Sequence, residues 1–250
     1  MVVEVNMCFM GLSNSGKSML IEQLFSKVPP KFVKKNKNGH MSKLEYRTSL
    51  LKVNIHEISQ NEQGNQPSKE VELVFRSAHV FIYVVNLSRQ RELQEEQSYF
   101  SALFEEAQRL KNRSAFWNVF FNEGYSDLIG IDDSTIKDKR QILTKFFQKS
   151  YMGSQMGPQL GKFVISETNL NDLSMLEVFG SILNRFVDSH FPIIPKMITH
   201  FKKECQIQNL FVFDTNLKVI VSKESVLNIN QLYLSIDIVQ LYNDFYNFQK

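Results

Sequence analysis

Gly11-Leu12-Ser13-Asn14-Ser15-Gly16-Lys17-Ser18 fits the pattern G-x-x-x-x-G-K-[ST], and its flanks decide the fold. Val2–Met10 before it is a short apolar run that reads as a buried strand. Lys17–Val28 after it carries Leu20, Ile21, Leu24 and Phe25 at helical spacing, and Pro29-Pro30 stops it. A strand–loop–helix unit of this kind turns successive backbone N–H groups inward as an anion nest, which Gly11 and Gly16 permit, and adds the positive end of a helix. Lys17 is placed to reach β- and γ-phosphates and the Ser18 hydroxyl to ligate Mg²⁺. Gly11, Ser13, Asn14, Ser15, Gly16, Lys17 and Ser18 are therefore the expected phosphate set.

Downstream, strands and helices alternate. Leu50–Ile58 alternates Leu51, Val53 and Ile55 as a strand, and Val80-Phe81-Ile82-Tyr83-Val84-Val85 reads as a strand buried on both faces. Phe100, Leu103, Phe104, Ala107 and Leu110 mark one face of an amphipathic helix. A strand at Phe116–Phe121, a helix at Ser134–Lys149, a strand at Lys162–Ser166 and a helix at Asn171–Ser189, with Asn171 as N-cap, complete the pattern. Such alternation predicts an α/β fold: a mostly parallel sheet with helices on both faces. Lys31–Lys43, with Lys31, Lys34, Lys35, Lys37 and Lys43 and no acid, reads as a mobile solvated loop, and Asn61–Ser68 as a second loop.

The pattern changes after Phe191-Pro192, so domains at 1–192 and 193–250 are expected. Lys196–Gln206 reads as a helix, Asn209–Asp214 and Leu217–Ser222 as a hairpin and Gln231–Phe248 as a long helix. This order cannot extend a parallel sheet, and one hairpin is too few strands for a stable sheet alone.

Composition excludes several classes. The chain has 250 residues, 43% hydrophobic and 22% charged, which is ordinary for a globular protein. Its net charge of +3 does not point to nucleic acid. Cys8 and Cys205 match no metal or redox spacing, and the five histidines form no pair at ligand spacing. No run reaches the ~20 apolar residues of a spanning helix, and the start and end carry no signal peptide or lipidation box. A cytoplasmic protein without direct membrane insertion is expected.

Read together, several stretches resemble the Rag (Gtr) GTPases. These are the phosphate loop, Val74-Phe75-Arg76 followed by Val80–Asn86, and Arg91-Glu92-Leu93 before a helix containing Tyr99-Phe100. Leu210-Phe211-Val212-Phe213-Asp214 and Val219-Ile220-Val221-Ser222 are similar to the hairpin of the roadblock domain that follows the GTPase domain in that family. Arg91-Glu92-Leu93 matches the A/B branch and Gly11-Leu12 the C/D branch, and both remain open. The resemblance implies GTP/GDP and Mg²⁺ as ligands and a partial roadblock-like domain at 193–250. It also implies a second Rag-like subunit as heterodimer partner. A membrane scaffold complex and the target-of-rapamycin complex follow as further partners, with a peripheral place at the lysosome or vacuole through them.

The chain departs from the family pattern where chemistry is done. D-x-x-G corresponds to Glu57-Ile58-Ser59-Gln60: Glu57 replaces the metal-side Asp, and no glycine stands at 60. The water-positioning Gln falls on Asn61, which is one methylene shorter; Gln60 or Gln63 substitutes only in a shifted register. The guanine-reading motif becomes Asn122-Glu123-Gly124-Tyr125, which keeps the Asn and loses the carboxylate, with Asp127 two residues on. In the first switch Ser42 is the only aliphatic hydroxyl across Lys31–Arg47, and Thr48 follows at the strand edge. The last base-contacting turn is Ser166-Glu167-Thr168.

The expected site is thus an intact phosphate cradle with eroded switches, a metal site at Ser18 and Glu57, and base contacts at Asn122 and Ser166. No residue is assigned as catalytic, and at most slow GTP hydrolysis is expected. His56-Glu57 reads either as part of the second switch or as an exposed strand end. Two further classes stay open: a P-loop ATPase or kinase, against which Asn86 ends the best strand without a carboxylate, and an interaction module with a vestigial loop. Tyr233, Tyr242, Phe245, Tyr246 and Phe248 form an apolar face suited to a partner or to further strands of its own domain.

Overall fold

The computed structural model describes residues 2–25, 33–35, 41–48, 50–58, 69–88, 93–110, 115–122, 133–153, 163–168, 174–207, 210–214, 219–223 and 229–248. Among the described residues seven strands form one sheet: β1 (Val3–Met10), β2 (Val33–Lys35), β3 (Met41–Arg47), β4 (Leu51–Ile58), β5 (Val80–Asn86), β6 (Phe116–Asn122) and β7 (Phe163–Thr168). Their order is β2-β3-β4-β1-β5-β6-β7. β4, β1, β5, β6 and β7 are parallel, while β3 and β2 run antiparallel at one edge.

The described helices are α1 (Lys17–Phe25), α2 (Lys69–Ser77), α3 (Leu93–Leu110), α4 (Asp133–Gly153), α5 (Ser174–His190), α6 (Ile193–Glu204) and α7 (Ile229–Phe248). β8 (Phe211–Asp214) and β9 (Val219–Lys223) pair as an antiparallel hairpin. The molecule is the α/β fold that the alternation predicts.

The two-residue period of the central strands builds two cores. Val5, Met7 and Phe9 of β1 and Val80, Ile82 and Val84 of β5 face α1 and α5, meeting Leu20, Leu24, Phe179 and Leu183. Cys8, Met10, Phe81, Tyr83 and Val85 face the other way, onto Phe75 of α2, Phe100 and Phe104 of α3 and Phe147 of α4. The second core is largely aromatic. The Phe100 ring lies 4.5 Å from Phe147, 5.0 Å from Tyr83 and 5.4 Å from Phe104. Such pairs add about 0.5–1.5 kcal/mol each beyond area burial. The one polar group of Tyr83 is satisfied there, donating to Glu96 Oε1 at 2.7 Å.

The basic run is corrected by the structure. Lys31–Lys43 is not one loop: Val33–Lys35 is the edge strand of the sheet, and the start of β3 pairs between it and β4. Edge strands carry lysines because charge discourages pairing with another chain, so a lysine-rich stretch is compatible with a strand there. α2 is a helix that was not expected, and α6 begins at Ile193, ahead of the expected Lys196. Pro195 is tolerated inside α6 because the first turn of a helix needs no N–H from it. Asn171 lies outside the described residues.

Ile220 of β9 is buried in the core formed by β1, α1 and α5, and Phe191, Ile194, Phe211, Val212 and Phe213 pack against it. A two-stranded hairpin buries too little on its own, and here it borrows the apolar surface next to α5.

Candidate functional site

Every parallel strand ends at the same edge of the sheet. Phe9 lies level with Glu57, Met10 with Tyr83, Asn86 with Asn122, and Asn122 with Thr168. The chain leaves β1 toward β4 and returns to its other side as β5, so the crevice above β1 is where this architecture binds ligands. The Gly11–Ser18 loop crosses it.

Three loop residues have left-handed backbone: Gly11 at φ 141°, Asn14 at φ 57° and Gly16 at φ 95°. A side chain at Gly11 would run into the Val84 carbonyl of β5, so the loop can lie on the sheet only with glycine there. Asn14 takes its conformation at low cost because its short polar side chain tolerates this region. Ser15 N donates to Leu12 O at 3.2 Å, and α1 opens with Leu20 N donating to Gly16 O at 2.9 Å.

Lys17 is only 3% exposed. Its Nζ donates to Gly11 O at 2.9 Å, to Leu12 O at 2.8 Å and to Ser15 Oγ at 3.3 Å. A buried ammonium costs several kcal/mol unless it is hydrogen-bonded, and the loop's own oxygens meet that need. The charge is therefore held on the loop, beside the amides that would receive an anion.

Ser18, exposed at the start of α1, donates to Glu57 Oε1 at 2.5 Å. Ser42 lies opposite Glu57 in the β3–β4 register. Thr48 sits at the far end of the sheet, where its hydroxyl accepts from Leu51 N at 3.0 Å and closes the β3–β4 turn. Asn122 is buried, its side-chain amide against Gly16 and its backbone carbonyl accepting from Leu87 N at 3.0 Å.

Ser166 lies within β7, level with Phe120 and half-buried; Thr168, two residues further on, is level with Asn122 and donates to Phe121 O at 3.3 Å. The pairing thus joins the loop, Ser18, Glu57 and Asn122 and leaves Ser166 a step below the crevice. Thr168 was visible only as the end of the turn read around Ser166, because its position depends on strand register. Gln60, Asn61, Gln63, Tyr125 and Asp127 lie outside the described residues.

Ser18 and Glu57 are hard oxygen donors, the kind Mg²⁺ takes. Among the described residues no group of three or more His, Cys, Asp or Glu could hold a metal by itself. Two protein oxygens suit a cation that takes its remaining ligands from phosphates and water.

This fold with this loop defines a P-loop protein of the GTPase type. The family model for the Gtr1/RagA G protein conserved region matches residues 6–239, and the chain belongs to that family. It is 22% identical over 218 residues to the GTP-binding protein GTR2 of Saccharomyces cerevisiae (strain ATCC 204508 / S288c), across 86% of this chain and 60% of that protein. The chain thus spans about three-fifths of the length of that relative. A solved structure of an ADP-ribosylation factor-like GTP-binding protein, the small COPII coat GTPase SAR1 of Encephalitozoon cuniculi in complex with GDP, superposes with a TM-score of 0.45. The identity is 18%, over 67% of this chain and 70% of that one. No described helix is long and apolar enough to cross a membrane.

Proposed function

We propose that this chain is a GTP- and GDP-binding Rag-like subunit that holds Mg²⁺ through Ser18 and Glu57 and works as a scaffold or slow switch. The observation that carries it is the formed loop: three left-handed residues, Lys17 held on the loop carbonyls, and the Ser18–Glu57 bond at its edge. When bound, Mg²⁺ would offset phosphate charge; the loop amides and Lys17 bind the polyphosphate, and Asn122 braces the loop from β6. The missing carboxylate at Tyr125 and the Asn61 substitution support weak base discrimination and slow turnover.

In this reading residues 1–192 form the GTPase domain and 193–250 a partial roadblock-like domain that meets a second Rag-like subunit. Support comes from the exposed stripe of α7, where Leu234, Ile238, Leu241, Tyr242, Phe245 and Tyr246 all face solvent; Tyr233 and Phe248 have side chains outside the described set. Relay of amino-acid status to the target-of-rapamycin complex at the lysosomal or vacuolar membrane, through a scaffold complex, rests on family membership.

Fluorescent GTP and ATP analogues titrated side by side test the nucleotide part. GTP binding that is lost in Lys17→Ala supports it. Equal binding by wild type and variant ends it, and stronger ATP binding favours the ATPase reading.

A further inference from the structure

The family pattern places an aspartate at position 57, and this chain has glutamate. The extra methylene has a geometric consequence. Glu57 stands one residue before the end of β4, level with Phe9, and its carboxylate reaches across to the first turn of α1, where Oε1 accepts from Ser18 Oγ at 2.5 Å. Only the hydroxyl proton lies between two oxygens at that separation; neither a cation nor a water fits there. Adjacent oxygens on one Mg²⁺, at 2.0–2.1 Å from the ion, stand about 3.0 Å apart. An opening of roughly half an ångström would therefore put both oxygens on one cation.

We propose that Glu57 is a direct ligand of the nucleotide-bound divalent cation, beside Ser18, where the shorter aspartate would hold it through water. The competing account makes Glu57 only the acceptor that orients the Ser18 hydroxyl, a role that glutamine fills equally well. The proposal rests on the nucleotide reading above and adds the coordination of its metal. Each water displaced by a carboxylate is costly for Mg²⁺, which dehydrates reluctantly, so a directly bound Glu57 favours Mn²⁺ more than a water-bridged acid does.

The test uses the full chain with a fluorescent GDP analogue, titrated separately with Mg²⁺ and Mn²⁺, and with Mn²⁺–GDP samples in deuterated water for electron–nuclear double resonance. The wild type is expected to show one fewer metal-bound water than Glu57→Asp and to prefer Mn²⁺ more strongly than that variant does. Glu57→Gln is expected to need at least tenfold more of either cation to retain nucleotide. Equal water counts in wild type and Glu57→Asp, or unchanged cation requirements in Glu57→Gln, would overturn direct ligation while leaving nucleotide binding standing. A wild type that retains no GDP with any cation would remove both. Melting temperatures check each variant's fold, and the conservative Glu57→Asp keeps the water count decisive if Glu57→Gln does not fold.

Discussion

Gly16 and Asn122 are in mutual contact across two strands: a Cβ placed on Gly16 would come within 2.5 Å of the Asn122 side-chain nitrogen. The loop that follows β1 is thereby seated against the end of β6, with β5 between them. One asparagine thus supports the phosphate loop before it meets any base.

Gly16→Ala carries two penalties, the collision with Asn122 and a left-handed backbone at φ 95°. We expect a loss of about 1–3 kcal/mol in stability and at least tenfold in nucleotide affinity. Adding Asn122→Ala should return part of the loss, since contacting residues couple by about 0.5–3 kcal/mol. Strict additivity in a double-mutant cycle by chemical denaturation would contradict the contact.

Lys17→Ala should destabilise the protein even without nucleotide. The ammonium is the donor to the Gly11 and Leu12 carbonyls, and a buried acceptor left unpaired costs about 1–3 kcal/mol. Thermal melts in phosphate-free buffer measure this. An unchanged melting temperature would mean that Lys17 serves the ligand alone.

Tyr83 and Tyr99 make the fold sensitive to alkaline pH. Burial pushes the Tyr83 phenol well above its ordinary value, helped by Glu96, and burial also raises Tyr99. Both groups hold their protons more tightly folded than unfolded, so their contribution is full below the unfolded value near pH 10 and is lost as pH climbs through the raised folded values. Urea melts between pH 8 and 11 should show stability falling above about pH 10. Tyr83→Phe should weaken that slope while costing about 1–3 kcal/mol at pH 8, because Glu96 loses its donor.

Ile220→Ala should cost about 2–4 kcal/mol, which for a chain of this length lowers the melting temperature by several degrees. Its side chain enters the core shared with α1 and α5, so the hairpin and the sheet should melt together. Separate transitions by two spectroscopic probes would show that residues 193–250 unfold on their own.

Much of the fold was legible because it follows from local order. An apolar run, a glycine-bearing loop and a 3.6-period helix announce the first unit, and β-branched runs such as Val80–Val85 announce buried strands whatever surrounds them. β2 and the start of β3 were not legible. Their lysines imitate a solvated loop, and only pairing, of β3 with β4 and of β2 with β3, makes an extended, pleated edge favourable. α2 was hidden for a related reason: few of its residues are buried, Val74 and Phe75 among them, so its apolar signal is short.

The chain's residue order alone determined an anion nest after β1, an alternating α/β architecture and a change of pattern near Pro192, since each depends on spacing within one segment. The folded molecule decided what those segments meet. It put Glu57 on Ser18, Asn122 behind Gly16, Thr168 level with Asn122, and Ile220 in the core beside α5. Strand register and packing join residues far apart in the chain, and a one-residue slip of any one of these strands would turn its side chains to the opposite face.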